Sequence, residues 1–520
     1  MEKFLRCRGY LCTLDLGSFL HSHIPNEEVK WLGKRSHYDA IVIGGGVVGT
    51  AVLRTLAKLE LSAALLEKET EVGWGVTKAN SGIVHSGFHS EPGTWKTKLS
   101  VLGNQMFDQL CEDLDVPFKR NGMMLVAATP EEEEIIKHYY NQGLINGVEG
   151  MEILDQKALH QLEPNLSPQI SMALRAPSGG IVLPFELASA QAENAAANGA
   201  HVYTDMEVTD IDYNGSVFII HTKQGMSFTS EYLINSAGLY ADELAKMCNL
   251  DIEPIIPRKG EEYLFDLKVG DIVSHTIFPV PTPTSKGILV IPTAEGNIMI
   301  GPTALELPYK DDVTTTPQGF EEIFSSTQEL VPGLNRRDII TSFAGVRAGS
   351  PTGDFIFQLS HDGKGVHLRG IESPGLTAAP AIAEHVLTLL KDAGLEKPAK
   401  KDFNPRRPRV VRFNELSDEE KAEVIQKNPL YAHVICRCET VTEGEIVDAI
   451  RRGAKTIDGV KFRTRAGMGR CQGGFCTPYV VDILARELGV SPLEITKRGG
   501  DSYLLAAEAK ALLKGGTLCD

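Results

Sequence analysis

From Tyr38 the sequence reads YDAIVIGGGVVGTAVLRTLAKLELSAALLEKE, and very few folds can accommodate that order of parts. Asp39 to Ile43 is a short apolar strand that leads straight into Gly44-x-Gly46-x-x-Gly49. Val52, Leu53, Leu56 and Leu59 then recur at helical spacing, and a second strand, Ser62 to Leu66, ends on Glu67. Gly44 permits a tight turn, Gly46 lets a pyrophosphate approach the backbone, and Gly49 lets helix and strand pack closely. The helix N-terminus offers unpaired amides to phosphate. Glu67 lies about 20 residues beyond the glycines, where an acid accepts hydrogen bonds from a ribose. Strand, turn, helix, strand and acid together predict a dinucleotide site. They do not distinguish FAD from NAD.

The segment Val72 to Gly87, VGWGVTKANSGIVHSG, is dense in glycine and hydroxyl side chains, as suits backbone packed on a cofactor. Far downstream, Phe343-Ala-Gly-Val-Arg-Ala348 and the run from Ser373 to Glu384 frame a final strand and helix. That helix would aim its N-terminus at a ring system, where its dipole stabilises a reduced, anionic flavin.

With these segments the chain resembles the D-amino-acid-oxidase-like superfamily of flavoproteins. The run NSGIVHSG from Asn80, Pro92-Gly-Thr-Trp-Lys-Thr-Lys-Leu, Ile291-Pro-Thr-Ala-Glu-Gly and Ala344-Gly-Val-Arg347 look especially like its L-2-hydroxyglutarate dehydrogenase branch. The likeness runs from about Tyr38 to about Leu390. It implies an α/β chain whose Rossmann-type FAD-binding domain is assembled from three separated stretches, with a mostly antiparallel substrate domain inserted between them. Strand signals at 201–203, 217–220, 232–238, 262–265, 287–291 and 297–300 agree with that. For the cofactor it implies contacts from Gly44, Gly46, Gly49, Glu67 and Lys68 in the opening and from Ser81 and Gly82 after it. Further contacts are expected from Val208, Ala237 and Gly238, and from Gly375, Leu376 and Thr377 at the last helix.

In the superfamily an arginine placed like Arg347 pairs with the substrate's anionic group, and a guanidinium fork suits carboxylate or phosphate. His85 lies in the segment expected to line the flavin. Oxidising an alcohol by hydride transfer requires removing the hydroxyl proton, and histidine titrates in the useful range. His85 is therefore the expected base, with His89 second. Lys259, Tyr263 and Lys96 are weaker candidates for the pocket wall. The expected substrate is a small anion with a C–H beside a hydroxyl or amine.

Of nine cysteines, Cys7, Cys12, Cys111, Cys248 and Cys519 are scattered while Cys436, Cys438, Cys471 and Cys476 cluster. One tight group in a long chain points to a metal site in a reducing compartment rather than to disulfides. The spacing is C-x-C, a helical excursion opened by Thr442 and Glu445 at capping-box spacing, then C-x4-C. Four thiolates suit zinc or an iron–sulfur cluster. Structural zinc generally uses C-x2-C knuckles, whereas the glycines around Cys471 free amides to hydrogen-bond sulfur. Arg437, Lys461, Arg463, Arg465 and Arg470 can offset an anionic cluster. The pairing resembles the bacterioferritin-associated-ferredoxin-like two-iron two-sulfur domain, with zinc as the alternative.

Five segments follow: an extension over 1–37, the oxidoreductase over 38–395, a charged, proline-rich linker over 396–430, a small helical cysteine-cluster domain over 431–490, and a tail over 491–520 with a helix from about Leu504. The extension reads as a plain addition or an early start, with organelle targeting as a third reading. A net charge of −16 argues against a general affinity for nucleic acid or anionic lipid. No run approaches the ~20 apolar residues of a membrane helix. The expectation is a cytoplasmic protein, peripheral at a membrane only through a partner.

An oxidase-like flavoprotein fused to such a cluster domain is similar to the large subunits of anaerobic glycerol-3-phosphate dehydrogenases. The cluster tilts the expectation toward glycerol 3-phosphate, with electrons passing from flavin to cluster and on to a second flavoprotein or iron–sulfur subunit. A 2-hydroxy acid such as L-2-hydroxyglutarate is the close alternative. An electron-transfer subunit without its own substrate is a third reading, and an oxidase handing electrons to oxygen a fourth.

Overall fold

The computed structural model describes residues 36–281 and 287–512, so the extension as far as residue 35 and the tail beyond 512 lie outside the described residues. Strand β1 (His37–Ile43) runs into helix α1 (Val47–Leu56), and β2 (Ala63–Leu66) lies parallel beside β1. Gly44 adopts φ +102°, which side chains other than glycine rarely take, and a Cβ there would sit 2.6 Å from the Ser236 carbonyl oxygen. A Cβ on Gly49 would collide with the Gly44 carbonyl, so only glycine lets α1 close on β1.

Helix α2 (Trp95–Leu114) follows, and β3 (Ser227–Asn235) pairs in parallel with the other side of β1. The longest pairing among the described residues joins β4 (Ile256–Phe265) to β5 (Ile339–Gly349), antiparallel from Ile256 opposite Gly349 to Phe265 opposite Ile339. Then β6 (Gly365–Arg369) lies parallel to β3 and leads through Ser373 to helix α3 (Gly375–Asp392).

Two sheets result. The first has eight strands, with β6, β3, β1, β2 and His201–Tyr203 joined by parallel pairings. Helices α1, α2 and α3 bury their apolar faces over it, around Leu53, Phe107, Ile382 and Val386. The second sheet has nine strands, and every pairing in it is antiparallel except Thr276–Pro279 with Met123–Ala127. The expected interleaving is therefore present: chain from the beginning, middle and end of the oxidoreductase region builds one sheet, and the intervening chain builds the other.

Beyond α3 a short hairpin, Val434–Cys436 with Val441–Thr442, precedes α4 (Glu443–Arg451), α5 (Ile457–Thr464) and α6 (Thr477–Leu488). Thr442 and Glu445 form the reciprocal capping box that their spacing predicted. These helices enclose a separate core around Ile446, Val460 and Leu484. The stretch 396–430 is stapled down: Lys397 pairs with Asp39 at 2.7 Å, and Arg407 and Arg412 both reach Glu186. The tail helix begins at Ala509 instead of Leu504; Leu504 and Leu505 are exposed and would gain no burial from coiling there. Among the described residues no helix is long and apolar enough to cross a membrane.

Candidate active site

A cavity of about 760 Å³ opens where the N-termini of α1 and α3 face β4 and β5. Gly46, Val47 and Val48 line it at one end, and Gly46 caps α1 with extended backbone and no side-chain bond. The start of that helix is thus presented to the cavity as backbone, an arrangement suited to phosphate. Thr77, on the 3-10 turn Val76–Lys78, accepts the Val47 amide at 3.0 Å. Ser236 donates to the carbonyls of Ile43 and Gly44 and fixes the turn from beneath.

The expected cofactor residues fall into three groups. Gly46, Ser81, Gly238, Gly375 and Leu376 line the cavity itself. Gly44, Gly49, Gly82 and Thr377 shape it from behind: Gly82 has φ +66° with its position fixed by Asn80, and Thr377 accepts the His85 amide at 2.9 Å. Glu67 lies at the end of β2 and accepts the amides of Gly45 at 2.6 Å and Glu69 at 2.9 Å; burial pushes its carboxyl up. Beside it the Lys68 ammonium stacks on Tyr240 at 3.9 Å. Ala237 packs on the cluster beneath β1 and β3, next to the cavity residues Ser236 and Gly238. Val208 packs on that same cluster and is not among the cavity-lining residues.

On the substrate side the cavity brings His85, His89 and Arg347 together. The His85 Nε2 lies 3.4 Å from Ser373 Oγ, and its ring meets that of His89 at 4.7 Å. Arg347 donates to the Thr303 carbonyl at 3.1 Å. A Cβ on Gly260 would press on the Arg347 guanidinium and displace it, so the glycine sets where that fork sits. Strand alternation on β4 sends Arg258, Gly260 and Glu262 into the cavity and turns Lys259, Glu261 and Tyr263 away. Lys259 pairs instead with Asp312 at 2.9 Å, and Tyr263 packs on Phe320. The two pocket-wall candidates on this strand therefore sit one residue out of phase with the cavity. Lys96 reaches the edge of the site and pairs with Glu372 at 2.9 Å.

Three cavity residues escaped the sequence reading. Arg258 stands directly opposite Arg347 across β4 and β5 and is held by Glu306 at 3.0 Å and Glu372 at 3.5 Å. Glu372 bridges Lys96 and Arg258. Glu262 is only 3% exposed, accepts a 2.5 Å hydrogen bond from Ser81, and lies in the field of Arg347. The alternation of Arg258, Gly260 and Glu262 was the available signal.

At the other end of the chain the four cysteines converge. Sulfur atoms of Cys436 and Cys438 are 3.9 Å apart, those of Cys438 and Cys471 3.8 Å, and Cys436 hydrogen-bonds Cys476. Backbone amides of Gly467 and Glu439 point at Cys436, that of Cys471 at Cys438, and those of Gly473 and Phe475 at Cys471. A Cβ on Gly469 would sit 2.5 Å from Cys438 Sγ. Amide-ringed thiols cradled by glycine suit an anionic sulfur cluster.

A family model described as FAD dependent oxidoreductase matches residues 39–389. The chain belongs to the FAD dependent oxidoreductase family. A second model, the BFD-like 2Fe-2S binding domain, matches 434–486 and includes all four clustered cysteines, which sets iron–sulfur ahead of zinc. This FAD dependent oxidoreductase is 45% identical over 477 residues to a glycerol 3-phosphate dehydrogenase of Caloramator mitchellensis, covering 91% of this chain and 99% of that one. An L-2-hydroxyglutarate dehydrogenase of Indibacter alkaliphilus is 30% identical over 66% of this chain and 96% of its own. Among solved structures, the dithionite-reduced L-alpha-glycerophosphate oxidase of Mycoplasma pneumoniae with FAD bound superposes with a TM-score of 0.68 at 29% identity. That match covers 71% of this chain and 98% of the oxidase. The family's cofactors, FAD and a 2Fe-2S cluster, match the two sites just described.

Proposed function

We propose that this flavoprotein oxidises the secondary alcohol of glycerol 3-phosphate to dihydroxyacetone phosphate and releases the electrons through its cysteine centre. The observation that carries the choice of substrate is the facing pair Arg258 and Arg347. Like charges directly opposite on a sheet destabilise it. Carboxylates offset that cost here, at Glu306 and Glu372 beside Arg258 and at Glu262 near Arg347, and the pair still offers two adjacent guanidinium groups to an anion bearing two charges on one group. A phosphate dianion fits between adjacent guanidinium groups, and the 45% identical relative is named for the same substrate.

Arg258 and Arg347 would hold the phosphate, and Thr303, through its carbonyl, would fix the Arg347 fork. His85, steadied by Thr377 and next to Ser373, would take the hydroxyl proton at Nε2. When bound, the flavin accepts the hydride and the iron–sulfur cluster carries single electrons onward to a separate electron-carrying subunit. A 2-hydroxy acid is the second reading, favoured by the relatives named for L-2-hydroxyglutarate. Its two carboxylates stand several bonds apart, and a side-by-side arginine pair serves them less well.

Anaerobic titration of the holoenzyme with each substrate, followed by visible spectroscopy, separates the readings. Glycerol 3-phosphate should bleach the flavin, and cluster absorbance should change afterwards. Bleaching by L-2-hydroxyglutarate alone would reverse the substrate, and bleaching by neither would leave an electron-transfer subunit.

A further inference from the structure

We propose that Glu262 takes up a proton when the substrate's dianion enters the cavity, so that binding is coupled to protonation of a buried carboxyl. The inference rests on the phosphate reading of the Arg258 and Arg347 pair. Glu262 belongs to the same face of β4 as Arg258 and Gly260, 3% exposed. The groups around it come from every neighbouring element. Ser81 Oγ donates to it at 2.5 Å from the segment after the 3-10 turn, and Arg347 faces it from β5. Gly301 backs it closely enough that a Cβ there would sit 3.1 Å from the Glu262 Cγ. The remaining charged or titratable lining groups are Arg258, Glu306, Glu372, Tyr139 and the histidines His85 and His89.

Charge bookkeeping in the cavity singles out Glu262. Before substrate arrives, Glu372 and Glu306 balance Arg258, and Glu262, with Glu372 behind it, balances Arg347. A phosphate dianion that claims both guanidinium groups leaves surplus negative charge in a water-poor space. An added like charge raises a carboxyl's pKa. Glu372 is tied to Lys96 at 2.9 Å and keeps its own counter-ion. Glu262 has no cation besides Arg347 among the groups acting on it. Burial already pushes its carboxyl up to about 7, against the pull of Ser81 and Arg347. A proton from solvent on Glu262 removes the surplus with no other group moving.

The test is calorimetry of dihydroxyacetone phosphate binding to the oxidised holoenzyme in two buffers of different ionisation heat. Wild type and Glu262→Gln are compared so that the ligand's own titration cancels. At about pH 7.5 the wild type should take up as much as about three-quarters of a proton more than the variant, and the difference should shrink to about a tenth near about pH 6, where Glu262 is already largely protonated. Equal uptake by both proteins, with binding intact, overturns the inference alone. Should Glu262→Gln fail to fold, Ser81→Ala keeps the carboxyl but removes the donor that favours its ionised form. Its uptake window should move to higher pH, and an unmoved window overturns the inference. No binding of dihydroxyacetone phosphate together with no bleaching by glycerol 3-phosphate sinks the phosphate reading as well, and that result is distinct from equal uptake.

Discussion

Arg258 and Arg347 are cross-strand partners, and that register makes each a separate test of the anion site. Removing one charged hydrogen-bond partner costs about 1.5–3 kcal/mol. Arg258→Met or Arg347→Met should therefore raise KM for glycerol 3-phosphate by roughly 10- to 100-fold. Steady-state kinetics on flavin-replete protein checks this, and an unchanged KM in Arg258→Met would remove that residue from the phosphate site. Arg347 was legible because its Gly-Val-Arg-Ala setting is a local pattern. Arg258 was not, because choosing between it and Lys259 depends on which face of β4 meets the cavity. That parity is set by pairing with β5, some 90 residues away in the chain. Lys259 and Tyr263 were chosen from the correct strand and the opposite face.

The crossing of α2 and α3 shows the same limit at the level of whole elements. Gly44, Gly46 and Gly49 could be read directly, since their turn, helix and strand are contiguous. Gly103 sits in mid-helix without any local sign, yet a Cβ on it would collide with the Thr377 carbonyl of α3. Thr377 in turn holds the His85 amide, so this crossing sets how closely the N-terminus of α3 approaches the cavity-lining segment at His85. Gly103→Ala should cost about 1–3 kcal/mol of stability through overpacking and should loosen flavin retention. Thermal melts and the flavin-to-protein ratio after gel filtration measure both. On β6 the fully buried His367 accepts at Nδ1 from Asn235 Nδ2 at 3.2 Å and meets Ser360 Oγ through Nε2 at 2.9 Å. Burial, then His361 and Arg369, pushes it down to about 4. Its folded value lies below the ordinary value near 6.5, so the native state resists a proton that the unfolded chain binds. Stability is intact above about pH 6.5 and falls by about 3 kcal/mol as pH drops to about 4. Urea midpoints at pH 7.5 and 5 should diverge less in His367→Asn than in wild type; equal divergence would assign the acid loss to other groups.

Across the whole molecule, the oxidoreductase and the cluster domain are joined by a buried charged seam. Glu71 pairs with Arg463 at 2.7 Å, with side chains 5% and 8% exposed. Glu193 gathers Arg407 at 3.2 Å, Arg452 at 3.3 Å and Arg463 at 3.7 Å. Phe462 of α5 inserts its ring between Trp74 at 5.7 Å and Phe185 at 4.9 Å. The 3-10 turn Val76–Lys78 has cavity-lining Val76 and Thr77 on one side, while the Lys78 ammonium lies over Trp74 at 4.4 Å and 5.9 Å from the Phe462 ring. One turn of chain thus separates the cavity from the element carrying Lys461, whose charge feels Cys476. None of this seam was legible in the sequence: Glu71 and Arg463 were an ordinary acid and an expected counter-charge for the cluster, and only the fold makes them partners. A seam this buried argues against a cluster domain that swings, and the proposed flavin-to-cluster relay would cross between domains held in place. Arg463→Met strips Glu71 of its buried partner, a change worth about 3–5 kcal/mol. Trypsin should then cut the 396–430 stretch faster, and cluster reduction should lag behind a flavin bleaching rate that stays at the wild-type value. Pairing it with Glu71→Met removes the stranded charge and should restore most of the protease resistance. If Arg463→Met is cut no faster than wild type, the domain is held elsewhere and the seam does not fix the relay.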